Sequence, residues 1–186
     1  MTLEALIIIK TKRPCKPNLR KEYLLENEVL GSSMDKMFDG KIKQRTYIEA
    51  PMEKVYETIT SAKEWDNFFT TGMVLEPKLG GVCNFSWKDW GPDFYSFTAP
   101  GKVVNLVRPK LFIFKWGEAG KESTVRFELE PFGSGTILTI IEDGYPDTPD
   151  GRKMILECAS GWGEAATLLK FYLEHVIVYK RPSRYL

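Results

Sequence analysis

The chain has 186 residues, 43% of them hydrophobic and 13% aromatic, which suits one ordinary domain with a real core and excludes a disordered polymer. Its 26 Lys and Arg nearly cancel 25 Asp and Glu, and the net charge of +1 lacks the positive field that phosphate backbones require, so nucleic acid is not an expected partner. Cys15, Cys83 and Cys158 are odd in number, far apart and not preceded by a secretory leader, which points to a reducing, cytoplasmic setting without a disulfide framework.

Residues 1–40 differ in texture from the rest. An apolar run at 6–9 is too short to span a bilayer, and a basic cluster follows it at Lys10, Lys12, Arg13, Lys16, Arg20 and Lys21. The segment reads as an N-terminal extension, disordered or non-native, with Met34 or Met37 as a candidate natural start; a partner-binding or membrane-surface arm is the functional alternative. The folded domain is expected over 41–186.

Alternation over 41–49, with Ile42, Thr46 and Ile48 against Lys43, Arg45 and Glu49, predicts a strand with one wet side. The period changes at Pro51, which suits a first helical position, and Val55 with Ile59 mark the buried stripe of a short helix. Ser61 can cap a second short helix carrying Trp65, Phe68 and Phe69. Glycine and proline pairs then separate β-rich runs at 82–88, 94–98, 102–107, 111–116, 124–130 and 136–143. These connections are too short for helical crossovers, so the sheet is antiparallel, with about seven strands.

Thr148 as N-cap, Pro149 as first residue and Asp150 in the first turn open a long helix. Its apolar positions Ile155, Cys158, Trp162, Ala165, Ala166, Leu169, Leu173 and Val176 recur at three- and four-residue spacing. Gly161 and Gly163 each cost about 1 kcal/mol inside a helix relative to Ala, and either close approach to the sheet or room for a bound molecule would offset that. The fold class expected is α+β, a curved antiparallel sheet gripping this helix, with two short helices after the first strand. Rings from several strands, Phe85, Trp87, Phe94, Tyr95 and Phe97, then Phe112, Phe114, Trp116 and Phe127, exceed what a minimal core needs. With Cys158, Trp162, Ala165, Ala166 and Leu169 facing them, they are the candidate lining of a ligand cavity.

The runs YIEAPMEKVYETIT, LEPKLGG, GKVVNLVRPKLFIFKW, TVRFELEPFGSGTILTIIEDGY and ASGWGEAATLLKFYLE resemble the activator of heat-shock protein 90 ATPase homologues, a family of the START-like (SRPBCC) superfamily, over about residues 41–175. The most specific pieces are Ala50-Pro51 with Val55, Gly80-Gly81, Trp116, Gly135-Thr136 with Leu138, and Gly161-Trp162 with Leu169. Tyr56 departs from the tryptophan of many relatives. The resemblance implies the helix-grip fold and an internal hydrophobic cavity, whereas function varies among relatives from chaperone activators to polyketide cyclases and lipid carriers.

Reactive chemistry is sparse. His175 is the only histidine and sits where it favours the end of a helix dipole; metal-ligand spacing, CxxC pairs and phosphate-binding glycine loops are missing, and neither metal nor cofactor is expected. Glu142 and Asp143 end a strand beside Tyr145, either as solvated carboxylates or with one of them turned into an apolar cavity as an acid/base partner of a tyrosine. Tyr95 and Arg126 are candidates to orient a polar ligand tail, and Glu164 reads as an outward charge. Three functions remain open: noncatalytic binding of a small hydrophobic or amphipathic molecule, a chaperone-associated interaction module, and a cyclase or aromatase-like enzyme. A monomer or homodimer fits each of them.

Overall fold

The computed structural model describes residues 37–118 and 120–179. Residues 37–40 aside, the expected N-terminal extension lies outside the described residues.

The strand β1 (Ile42–Ile48) leads into helices α1 (Met52–Ile59) and α2 (Ala62–Phe68). Pro51 precedes α1 as its N-cap rather than opening it, and Ser61 Oγ accepts from the Glu64 N–H at the head of α2. Seven strands follow: β2 (Val74–Leu75), β3 (Cys83–Trp90), β4 (Tyr95–Ala99), β5 (Gly101–Val107), β6 (Leu111–Trp116), β7 (Ser123–Phe132) and β8 (Gly135–Asp143). The long helix α3 (Pro149–His175) completes the order. Five strands pair as β1-β8-β7-β6-β5 and three as β2-β3-β4, with a Val82–Lys102 bridge between the groups. This is the α+β helix-grip arrangement that the sequence predicts, with one strand more: β2 has two residues, too few to show an alternation.

Every pairing is antiparallel, and residues directly opposite share a face. Val125, Phe127 and Leu129 of β7 therefore face the same way as Glu142, Ile140 and Leu138 of β8, and as Phe114 and Phe112 of β6. All eight are buried. The intervening residues Thr124, Arg126 and Glu128 stand on the opposite face, half-exposed. A bulge between Trp87 and Trp90, where Asp89 takes φ 52°, reverses the alternation of β3, so that Cys83, Phe85 and Trp90 are all buried.

Helix α3 is capped as expected: Thr148 Oγ1 accepts from the Gly151 N–H, and Asp150 lies in the first turn. Val176 ends it in the left-handed region, φ 55°, its N–H bonded to the Tyr172 carbonyl. Trp162, Ala165, Ala166 and Leu169 are buried, whereas in the preceding two turns Ile155, Cys158 and Ala159 are only half-buried. The helix backbone comes close to β1 and α2. It reaches the strands beyond mainly through Trp162, whose ring meets Trp116 at 5.2 Å, Phe127 at 5.5 Å, Phe85 at 6.2 Å and Phe114 at 6.4 Å.

Candidate functional site

The inner face of β3, β6 and β7 is a wall of rings. Phe85, Phe112, Phe114 and Phe127 are fully buried and touch at centroid separations of 5.2–6.1 Å. Trp65 of α2 closes the wall from the side, edge-on to Phe85 at 5.0 Å. Trp87 and Trp116 are half-buried and continue it toward the surface, 6.4 Å apart.

A polar centre sits in this apolar surround. Glu142 is fully buried on β8, in step with Leu138 and Ile140. Its Oε1 accepts from Trp116 Nε1 at 2.7 Å and from Ser123 Oγ at 2.5 Å, and its Oε2 accepts from Trp162 Nε1 at 2.5 Å. A buried carboxyl group with three converging donors is satisfied rather than stranded. Two of those donors are indole N–H groups, which have no lone pair to accept a proton, so both oxygens are held as acceptors.

Tyr145 lies beside the centre at 1% exposure, its hydroxyl turned toward Glu142 and the Cys158 thiol, with both of which it interacts, though among the described residues neither contact reaches ideal hydrogen-bond geometry. Burial, and then Glu142, push its phenol far above the ordinary range. Burial foremost raises the Cys158 thiol to about 11, with Glu142 adding to it, and raises the Cys83 thiol to about 12. Neither cysteine is a ready nucleophile at neutral pH.

The remaining sequence candidates fall elsewhere. Arg126 and Asp143 share the outer face of the sheet, where they pair at 2.5 Å. Phe94, Tyr95 and Phe97 are 41%, 51% and 52% exposed, since β4 is the edge of the three-stranded sheet. Tyr95 nevertheless stands near Glu157 and Cys158 of α3 and meets Trp87 at 6.3 Å with the rings tilted by 52°, which places it at the rim of the ring wall. Glu164 is exposed, and His175 is an exposed neighbour of Glu174. Ser123, Trp65 and Trp90 belong to the inner surface and were not among the candidates; Ser123 continues the Val125, Phe127, Leu129 alternation by one step, which is the signal that marks it.

The two helical glycines now separate. At about 100° per residue they lie on opposite flanks of Trp162. A Cβ on Gly163 would sit 3.8 Å from Gln44 Nε2 of β1, whereas a Cβ on Gly161 would meet nothing within 4 Å. The flank toward β1 is thus filled, and Lys170 Nζ on the Tyr47 carbonyl and Gln44 Nε2 on the Ala159 carbonyl fasten it. The Gly161 flank is open.

Among the described residues no cluster of His, Cys, Asp and Glu has a metal-holding arrangement, and no helix is long and apolar enough to cross a membrane. No curated protein sequence matches the chain. Solved structures do: a protein from Rhodobacter sphaeroides is 23% identical, covers 76% of this chain and 98% of its own, and superposes with a TM-score of 0.62. The Aha1 dimer from Colwellia psychrerythraea is 19% identical over 73% of this chain and 97% of its own, TM-score 0.61. DynU16, a protein in the dynemicin biosynthetic locus, is 21% identical over 80% of this chain and 51% of its own, TM-score 0.60. The sequence model of the Activator of Hsp90 ATPase homolog 1-like proteins matches residues 49–174, and the chain belongs to that family.

Proposed function

We propose that the protein binds a small hydrophobic or amphipathic molecule, without transforming it, between α3 and the ring-lined inner face of the sheet. The observation that carries this reading is the open flank of α3: Gly161 faces open space, and Cys158 on the same flank stays half-buried, with Tyr95 of β4 near it. A helix that only closed a core would fill that flank. The test is titration of native protein with Nile red, alongside Gly161→Leu. One displaceable dye site in the wild type, lost in Gly161→Leu while the melting temperature holds, is expected. Dye that binds only near the unfolding midpoint would mean a filled core and end the proposal.

A second reading, a cyclase or aromatase-like enzyme, draws on the inward carboxyl group of Glu142 and on the likeness to a protein of a biosynthetic locus. Binding is preferred because both Glu142 oxygens are already engaged and the Tyr145 phenol is pushed away from the range useful for proton transfer. A chaperone partner and a homodimer stay compatible with the family and with a dimeric relative, and mass measurement in solution addresses the second directly.

A further inference from the structure

Helix α3 stops at Val176, whose φ of 55° lies in the left-handed region. Glycine is the usual residue there, and a β-branched side chain in that conformation is strained. Such strain persists only where the surroundings enforce it, yet Val176 is 78% exposed, and Ile177 and Val178 after it are 52% and 43% exposed. The enforcing contact comes from the fourth residue. Tyr179 donates its N–H to the Asn67 carbonyl of α2 at 3.0 Å, and its ring meets Trp90 of β3 at a centroid distance of 4.8 Å.

We infer that residues 176–179 form a strained, releasable strap, latched over Trp90 by Tyr179 and opposed by the Val176 hinge. Closed, the strap gains one backbone hydrogen bond and one ring contact, each of modest worth. Against these stand the left-handed valine and the ordering of four residues, three of which bury little apolar surface in return. The turn of α3 before the hinge is held more firmly. Tyr172 stacks on Phe68 at 5.7 Å, and its hydroxyl donates to Glu64 and accepts from Asn67, so opening stops at Val176 and leaves the helix in place.

Trp90 is what the latch hides. It is 8% exposed and ends a row of rings that runs to Phe69 at 5.7 Å, from Phe69 to Trp87 at 5.5 Å and from Trp87 to the fully buried Phe85 at 6.1 Å. Release bares Trp90 beside Tyr95, its partner across the β3–β4 pairing, which is exposed already. A closed surface is thereby turned into an apolar one at the outer end of the ring wall. The strap is independent of the proposed ligand, because its opening is read with none present.

Backbone amide exchange of the full chain, followed by NMR, reads the latch directly, since the Tyr179 N–H is itself the donor. That amide should exchange at least about a hundredfold faster than the amides of β7, and about 3- to 100-fold slower than an unstructured chain. Val176→Gly relieves the hinge and should slow it about 3- to 10-fold. Tyr179→Ala should raise acrylamide quenching of the tryptophan fluorescence, a gain that is absent when both chains also carry Trp90→Phe, while the melting temperature falls by no more than about 4 °C. A Tyr179 amide as protected as those of β7, or a larger fall in melting temperature, would make the segment a fixed part of the core. Exchange at the unstructured rate would mean no latch, and Val176→Gly without a slowing effect would mean no strained hinge. Quenching unchanged by Tyr179→Ala would mean that Tyr179 does not cover Trp90. Each of these results would overturn the strap, and none of them bears on dye uptake.

Discussion

Replacing Trp162 by phenylalanine isolates the hydrogen bond to Glu142 from the packing of the ring. Phenylalanine keeps most of the contact with Phe127, Phe114 and Phe85 and removes only the Nε1 donor, which strips Oε2 of a fully buried carboxyl group of the bond Trp162 supplies. Such a loss costs about 1–3 kcal/mol, and a chain of this size converts that into a fall of roughly 2–10 °C in melting temperature. Trp162→Ala adds a cavity and should cost about 3–5 kcal/mol. Trp116→Phe provides the control, because Oε1 keeps Ser123 when the Trp116 donor is gone. It should cost less than Trp162→Phe. Urea denaturation followed by tryptophan fluorescence reads each variant as a shift of midpoint at constant slope. The donor count is refuted if Trp162→Phe is within about 0.5 kcal/mol of wild type, or if Trp116→Phe costs as much.

Gly161→Ala should raise stability by up to about 1 kcal/mol, since helix propensity improves and the new methyl group meets nothing; a loss would show that the flank is occupied. Thr148→Ala should cost about 1 kcal/mol through the missing acceptor for the Gly151 N–H, read by the same urea titration. In a Cys15→Ser background, iodoacetamide should alkylate native Cys158 slowly at pH 8 and faster as pH approaches about 11, with the fully buried Cys83 slower still; rapid labelling at pH 8 would contradict both. Glu174 ionises below the usual carboxylate range: burial opposes this, and the Lys170 ammonium and Glu49 N–H outweigh it. A lowered folded value stabilises above the unfolded range and is lost as pH falls through it, so Glu174→Gln should lower the urea midpoint at pH 7 and match wild type in strong acid.

What could be read from sequence was local. Strands β5 to β8 follow from β-rich runs between glycine and proline turns, and α3 from its three- and four-residue spacing with Thr148 and Pro149 at the head, because these signals lie within a few residues of one another. Glu142 shows where that stops. Its parity with Leu138 and Ile140 already turns it inward, yet a charge at a strand end is ordinarily solvated, and only the tertiary fold brings Ser123, Trp116 and Trp162 to it from 19 to 26 positions away. Arg126 and Asp143 have the opposite parity and lie outside accordingly. Trp90 defeats parity altogether, since the bulge at Asp89 shifts the register by a step that nothing in the residue types announces. For Tyr95 and Phe97 the alternation is present but β4 is an edge, where an apolar side chain does not require a covered face.

The two halves of α3 are held by different forces. From Trp162 onward the helix is anchored by burial: Trp162, Ala165, Ala166 and Leu169 are all in the core, and Lys170 and Tyr172 tie its flanks to β1 and α2. Before Trp162, only Gly151 is buried, against the Pro146 carbonyl, and the half-buried Ile155, Cys158 and Ala159 pack on the core beside the Thr148 cap, the Arg152–Asp147 pair and the Gln44 bond to Ala159. Polar and partly exposed contacts of that kind contribute about 1 kcal/mol each, against several for a buried tryptophan. The half before Trp162 is therefore the one that yields first, and Tyr95 of β4 stands near its Glu157 and Cys158, the latter in the field of Glu142. Trp162 stands at the boundary between the halves and is at once the anchor of the helix and a donor to Glu142, so its loss would loosen the packing and strip the buried carboxyl group together.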